Sequence, residues 1–501
     1  MKKILFVLTI LLPLIQLSCT DLTEDPKGLM SPEGFFKTPS DVQAAVYGAY
    51  AEWCTTPTEK SFLLMLMLRS DMVDIGDQNT DGDRIDINDF NMDAYNSLVD
   101  DSWVRLYASI SAANTAIEGA REITADQQLK NKLEAQARFI RAFSYFHLVR
   151  CFGDVPYLGS PLETKEALDT VRRMPVADIY DRIISDLLFA KENLPAQNPS
   201  GVRNIGTQGS AATVLADVYL TLQRYADAAT EARFVITNAA KFDYQLEKNY
   251  QDLFNGDIEV TGSLKEPIFT IDLKADLTSG IYNPVDGLIN LTRIRDLAPR
   301  SLSVAVPSLK VYNSWDPRDY RKKVSFEDSV VINGVKTALT DTKFRVPRPH
   351  IAKYFRYPGP QVGDDRSSDH HYCLYRYADV LLMAAEAIAE SEGPTAEAIG
   401  YVNQIRARAR FNGKTDTSFP PDIQLGIGRD DFIKVVREER RLEFAFEFNR
   451  WYDIKRWNAL EECFTGSGSL EPHQIDVQRD YLFPIPQSEI DLTGFKQNTG
   501  Y

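Results

Sequence analysis

The sequence predicts a mainly α protein, a stack of tetratricopeptide-like helical hairpins that carries an irregular, loop-rich insertion with short strands. Three observations lead there. Long segments repeat apolar residues at three- and four-residue steps, as at Ala135, Phe139, Ala142, Phe143 and Phe146. Two segments, 209–239 and 375–410, read as helix, short turn, helix, with small residues where neighbouring helices would meet; such pairs cannot bury both faces alone and must stack. Between them, 241–371 loses the helical period and mixes strand-like fragments with loops rich in proline, glycine and arginine. The 501 residues, 44% hydrophobic and without a long polar tract, suffice for one large body. A formal charge of −15 opposes nucleic acid as a partner and adhesion to anionic lipid through a basic patch. The five cysteines, at 19, 54, 151, 373 and 463, stand too far apart for a small disulfide scaffold or a zinc knuckle.

In chain order, Lys2 and Lys3 precede an apolar run over 4–17 that is short for a bilayer span and stops at Ser18-Cys19 before the polar TDLTEDP. This reads as a lipoprotein signal peptide, 1–18, with Cys19 as the acylated first residue. Each buried CH₂ contributes about 0.8 kcal/mol, so several acyl chains anchor firmly where one would not. A helix follows over 39–53 with Ser40 as its cap, and 61–71 is apolar enough for a buried helix. The loop 74–89 matches the start of a calcium loop at Asp77, Asn79, Asp81 and Gly82. The match then fails, because Asn88 stands where the bidentate glutamate belongs and Arg84 where an apolar residue pins the loop. Weak calcium ligation and a hydrogen-bonding ligand loop built on Asp77, Asn79, Asp81 and Arg84 both stay open beside a plain solvated connection. No other cofactor is expected.

Helices are predicted over 103–122, over 132–157 with Gly153 and Pro156 ending it, and over 175–195 between prolines. His147, among aromatics, reads as a packed core residue. Strands are predicted at 266–273 and 329–336, the latter turning at Asn333-Gly334. Loops on a rigid scaffold commonly carry binding residues. Aromatic rings there could stack on sugar faces while amides and guanidiniums bond the hydroxyls, which makes Tyr282, Asn283, Trp315, Tyr354, Arg356 and Tyr357 the candidates, with core readings favoured for Trp315 and Tyr354. The adjacent His370 and His371 lack H-E-x-x-H spacing, and the chain has no phosphate loop, G-x-S-x-G elbow or dinucleotide fingerprint. No catalytic residue is assigned.

The stretch 430–457, DDFIKVVREERRLEFAFEFNRWYDIKRW, reads as one helix that closes the stack. On a helical wheel Glu443, Glu447 and Arg450 share a sector flanked by Leu442, Phe446 and Trp457 on one side and Trp451 and Ile454 on the other. Charges set between bulky rings are expected to pair inside the protein, with Arg450 spaced to neutralise the carboxylates.

This run, EERRLEFAFEFNRWYDIKRW, resembles the signature helix of the SusD/RagB family of surface nutrient-binding lipoproteins of Bacteroidetes-type bacteria, with Phe448 where the family usually has glycine. Arg150 to Pro156 is similar to the family's R-x-FGDVP, WDPRDYRK around Trp315 to its D-P-R framework motif, Lys353-Tyr354 to its K-Y pair, and LFPIPQSEI with Asn498, Gly500 and Tyr501 to its terminus. The resemblance implies a helical part over 19–240, the insertion 241–371, and a second helical part over 372–501 that packs on the first. It also implies an outer-membrane lipoprotein, with Asp21, Glu24 and Asp25 resembling tags for the outer face. Such a protein captures an oligosaccharide or other glycan, or a peptide in the RagB-like branch, and sits as a lid on a SusC-like TonB-dependent transporter. A surface hydrolase and a lid that binds nothing remain the alternatives.

Overall fold

The computed structural model describes residues 35–58, 62–162, 169–255, 263–273, 286–295, 297–298, 300–356 and 368–501. The segment 1–18, Cys19, Tyr282, Asn283 and Tyr357 lie outside the described residues.

Helix α1 (Pro39–Thr58) begins with proline at its first position, where the missing N–H is not needed. Its cap is therefore one residue before the proline. Thr38 Oγ1 accepts from Asp41 N at 3.3 Å and Asp41 returns a bond to Thr38 N at 2.8 Å, so Ser40 is not the cap. The wholly buried α2 (Phe62–Leu68) and the short α3 (Gly82–Asn88) lead to α4 (Ser97–Glu122). Helix α4 starts ahead of the predicted position because the Asn96 side chain accepts from the N–H groups of Leu98 and Val99. Helix α5 (Gln127–Phe152) ends at Gly153, whose φ of 72° needs no Cβ. Then come α6 (Val176–Asn193) and the hairpin α7 (Gln208–Thr221) and α8 (Tyr225–Thr237).

Neighbours in this series pack side by side: α1 on α4, α4 on α5, α5 on α6, α6 on α7 and α7 on α8. Small buried residues set the close approach, among them Ala211, Ala212 and Ala216 of α7 and Ala228 and Ala232 of α8. The next helix in the stack comes from the far side of the insertion. Helix α8 packs against α9 (Tyr377–Ser391), which pairs with α10 (Ala396–Ala409) and α11 (Arg429–Glu443). The fold is thus a stack of helical hairpins assembled from both ends of the sequence.

In the insertion, β1 (Pro267–Asp272) pairs antiparallel with β4 (His371–Arg376), and β2 (Ser329–Ile332) with β3 (Val335–Ala338). The second pair turns at Asn333 and Gly334, with φ of 51° and 80°, the left-handed pair that a tight hairpin requires. Strand β1 departs from an overlay on the helices. Ile268, Phe269 and Ile271 are buried, and the Phe269 ring meets those of Phe139 and Phe143 of α5 edge-on at 5.0 and 5.3 Å.

The stretch 430–457 is not one helix. Helix α11 stops at Glu443, Phe446 has a φ of 65°, and α12 (Arg450–Arg456) starts afresh. The Tyr354 hydroxyl donates to the Phe446 carbonyl at 2.5 Å and so holds the turn open. Consequently Arg450 parts from the two carboxylates of the predicted sector, which stay together on Arg376. Glu443 pairs with Arg376, Arg408 and Arg321, and Glu447 with Lys353 and Arg376 at 2.8 and 2.9 Å. Arg450 instead grips Asp71 with two bonds of 2.7 Å. Phe448 lies between the rings of Tyr354 and Tyr372, at 6.0 and 6.1 Å, which places its bulk in the core.

Burial alone would raise the Glu443 and Glu447 carboxyls, but the surrounding guanidiniums hold both below the ordinary value of 4.5. The unfolded chain therefore takes up protons before the folded one as pH falls below that value. Stability present above it is lost progressively in acid. We expect the unfolding midpoint to drop steadily between about pH 5 and about pH 3; a flat profile by circular dichroism there would contradict this arrangement.

Candidate ligand-binding site

The polar loop that follows α2 is pinned before it reaches solvent. Asp74 and Ile75 pair with Val306 and Ala305, and Gly76 N and Asp77 N donate to Val304 O and Ser303 O at 2.8 and 2.9 Å. A Cβ at position 76 would sit 2.3 Å from Ser303 O, so the approach requires glycine. Gly76→Ala should separate these strands and cost about 1–3 kcal/mol, read as a lowered unfolding midpoint.

Held this way, the buried Asp77 carboxylate receives Arg295 Nη1 at 2.5 Å and Arg345 Nε at 3.0 Å, and its Oδ1 also accepts from Asn79 N at 3.0 Å. Asp74 takes Arg348 Nη1 at 2.6 Å and Asn88 Nδ2 at 3.3 Å. Behind them His350 lies between Arg348 O and Ser303 Oγ, and the same Ser303 Oγ accepts from Arg295 N at 2.9 Å. Both carboxylates thus orient guanidiniums whose outer edges stay partly exposed.

The Asp81 side chain caps α3 by accepting from Asp83 N at 3.3 Å, and Arg84 Nη1 donates to Thr80 Oγ1 at 3.1 Å. Burial lowers the Arg84 pKa, with Asp81 opposing it. Asp86, on the same short helix, is raised by burial and by the carboxylates of Asp83, Asp93 and Asp89 around it. One turn away, Asp83 Oδ2 accepts from Ser97 N at 2.9 Å and Asp83 O from Asn96 Nδ2 at 2.9 Å. Those bonds tie down the backbone just after Tyr95, whose own N–H donates to Asp93 Oδ1 at 2.8 Å and which is 77% exposed.

The calcium reading fails here. Asp77 is already neutralised by two arginines and the Asp81 side chain is occupied in capping α3, which leaves neither carboxylate for a cation. Trp315 and Tyr354 are withdrawn as ligand contacts, being 2% and 3% exposed; Trp315 packs against Phe326 and Tyr354 against Tyr372. The Arg356 guanidinium is committed to Glu327 and to the carbonyls of Lys323 and Phe326. His147 is buried beside Tyr452, and burial lowers its pKa. Sequence reasoning missed Tyr95, Arg295, Arg345 and Arg348. The only signal for the three arginines was an arginine-rich middle segment, because the carboxylates that orient them lie more than two hundred residues away in sequence.

A sequence model of the SusD family matches residues 310–501, and one described as starch-binding, associating with outer membrane, matches residues 41–220. The SusD-like protein P2 of Formosa agariphila is 43% identical over 98% of this chain and 97% of its own. The chain belongs to the SusD family. Among solved structures, a SusD homolog from Bacteroides thetaiotaomicron superposes with a TM-score of 0.80 at 24% identity, over 94% of this chain and 98% of the other. A laminarin-binding SusD-like protein gives 0.76 at 21% identity, over 93% and 100%. The SusD fold thus spans nearly all of the chain, and the contacts of Tyr95 and Asp77 are local detail upon it. No helix among the described residues is long and apolar enough to cross a membrane.

Proposed function

We propose that this protein binds a glycan non-covalently on the face formed by 77–84, Tyr95, Arg295, Arg345 and Arg348, and delivers it to a SusC-like TonB-dependent transporter in the outer membrane. Tyr95 carries the reading: it is 77% exposed, and the residues that follow it are tied to Asp83 at the end of the loop whose Asp74 and Asp77 orient Arg295, Arg345 and Arg348. A sugar offers a C–H face to a ring and hydroxyls to charged donors and acceptors, and this face holds both. The laminarin-binding relative and the starch-binding description of the matching family support the ligand class. Acylation at Cys19 would tether the helical body outside the cell.

A hydrolytic role has less support. Asp77 is committed to two arginines and the side chain of Asp81 is occupied as a helix cap. The test is affinity electrophoresis and calorimetry of the full chain against a panel of soluble glycans. Retardation by a glycan without release of shorter products supports the proposal. Product formation that stops on carboxylate substitution would make the protein a hydrolase. Absence of binding, with uptake still blocked by deletion, would make it a structural lid.

A further inference from the structure

A cavity of about 400 Å³ opens between the loop 197–203 and the β1–β4 ladder, and it shares no lining residue with the Tyr95 face. The antiparallel register sets Thr270 and Asp272 of β1 opposite Cys373 and His371 of β4, and all four line its wall. Asp272 Oδ1 accepts from Thr270 Oγ1 at 2.7 Å and bonds His371 Nδ1 at 2.6 Å. That contact orients the imidazole and leaves Nε2 buried with no hydrogen-bond partner. A polar atom left so is costly unless something completes it.

Elsewhere on the wall, Asn198 Nδ2 donates to Val202 O and Ile205 O, both at 3.0 Å, which turns its amide oxygen into the remaining group for a ligand. Arg203 supplies positive charge, but its terminal nitrogens are committed to Phe242 O and Asp243 O at 3.1 and 3.0 Å. The second Asp272 oxygen and the Asn198 oxygen thus offer acceptors, and the unpartnered His371 Nε2 stands beside them for a hydroxyl to meet. Among the described residues no aromatic ring lines the space. The volume lies within the range for small-molecule sites. An acceptor-rich pocket calls for a ligand that brings several donors, and because Arg203 is ion-paired with Asp243 on the same wall at 3.8 Å, the guanidinium is offset and a neutral ligand is preferred to an anionic one.

We propose that this cavity is a second binding site, which takes a neutral mono- or disaccharide, or a polyol of similar size, edge-on through hydroxyl-to-acceptor hydrogen bonds. The site stands on its own geometry and does not depend on the Tyr95 face binding anything.

The test is saturation-transfer NMR on the purified full chain with glucose, galactose, maltose, myo-inositol and glucosamine. Three variants accompany it: Ser200→Trp, which crowds the rim from an exposed loop; Asp272→Asn, which removes the charge from the acceptor; and Tyr95→Ala, on the other face. At least one neutral ligand should saturate. Ser200→Trp combined with Tyr95→Ala should abolish that binding, Asp272→Asn should weaken it by about tenfold, and Tyr95→Ala alone should leave it unchanged. Ser200→Trp lies outside the core, so a folding defect in Asp272→Asn would leave the test intact. Failure of every neutral ligand to saturate would overturn the proposal, as would saturation by glucosamine alone or binding by the double variant Ser200→Trp, Tyr95→Ala.

Discussion

Replacing Arg376 with methionine should destabilise the protein by about 3–5 kcal/mol, the range for breaking a buried ion pair. Arg376 is buried where β4 passes into α9. From there it reaches Glu266 at 2.7 Å, Glu443 at 2.5 Å, Glu447 at 2.9 Å and the carbonyl of Glu443 at 2.8 Å. One planar guanidinium therefore joins the middle segment, through Glu266, to the turn between α11 and α12. Methionine would fill much of the space but leave three carboxylates short of positive charge in a dry interior. Lysine would not rescue the site, because a point charge cannot serve these directions together. The control is Arg233→Met. Arg233 also meets two glutamates, Glu392 and Glu397, with bonds of 2.6–3.0 Å, but its side chain is 33% exposed. Water competes there, and the expected cost is about 1 kcal/mol or less. Chemical denaturation of both variants checks the claim; equal losses would show that burial does not set the strength of this network.

The second large effect concerns binding rather than stability. Tyr95→Ala should weaken glycan binding by about thirtyfold, equivalent to about 2 kcal/mol, as expected where an aromatic anchor is truncated. The unfolding midpoint should hardly move, since a ring this exposed buries little in the free protein. Tyr95→Phe should keep most of the affinity, because the ring face and not the hydroxyl meets the sugar. Calorimetry with the ligand identified by the glycan panel provides the measurement. Unchanged affinity in Tyr95→Ala would remove this residue from the site.

Much of the architecture was legible from local pattern. The 3.6-residue period marks α4 to α9 well, and Asn333-Gly334 announces its hairpin because few other pairs adopt two left-handed conformations in a row. The sequence motifs also place the chain in its family. Local pattern failed where a distant group decides the outcome. The wheel drawn through 430–457 assumes an unbroken helix, yet the turn after Glu443 is held by Tyr354, 92 residues away from the carbonyl it bonds. The residues 77–81 do have the spacing of cation ligands. What turns Asp77 inward is Arg295, 218 residues further on. Trp315 and Tyr354 have the composition of a sugar platform, but which ring faces water depends on what packs over it.

The sequence by itself determined the helical hairpins and the family, because periodicity, turn chemistry and motif spacing act over a few residues. Only the tertiary structure decided which charges pair and which aromatic rings remain exposed. Those outcomes rest on contacts between segments hundreds of residues apart, where burial multiplies the strength of an ion pair and removes a ring from solvent.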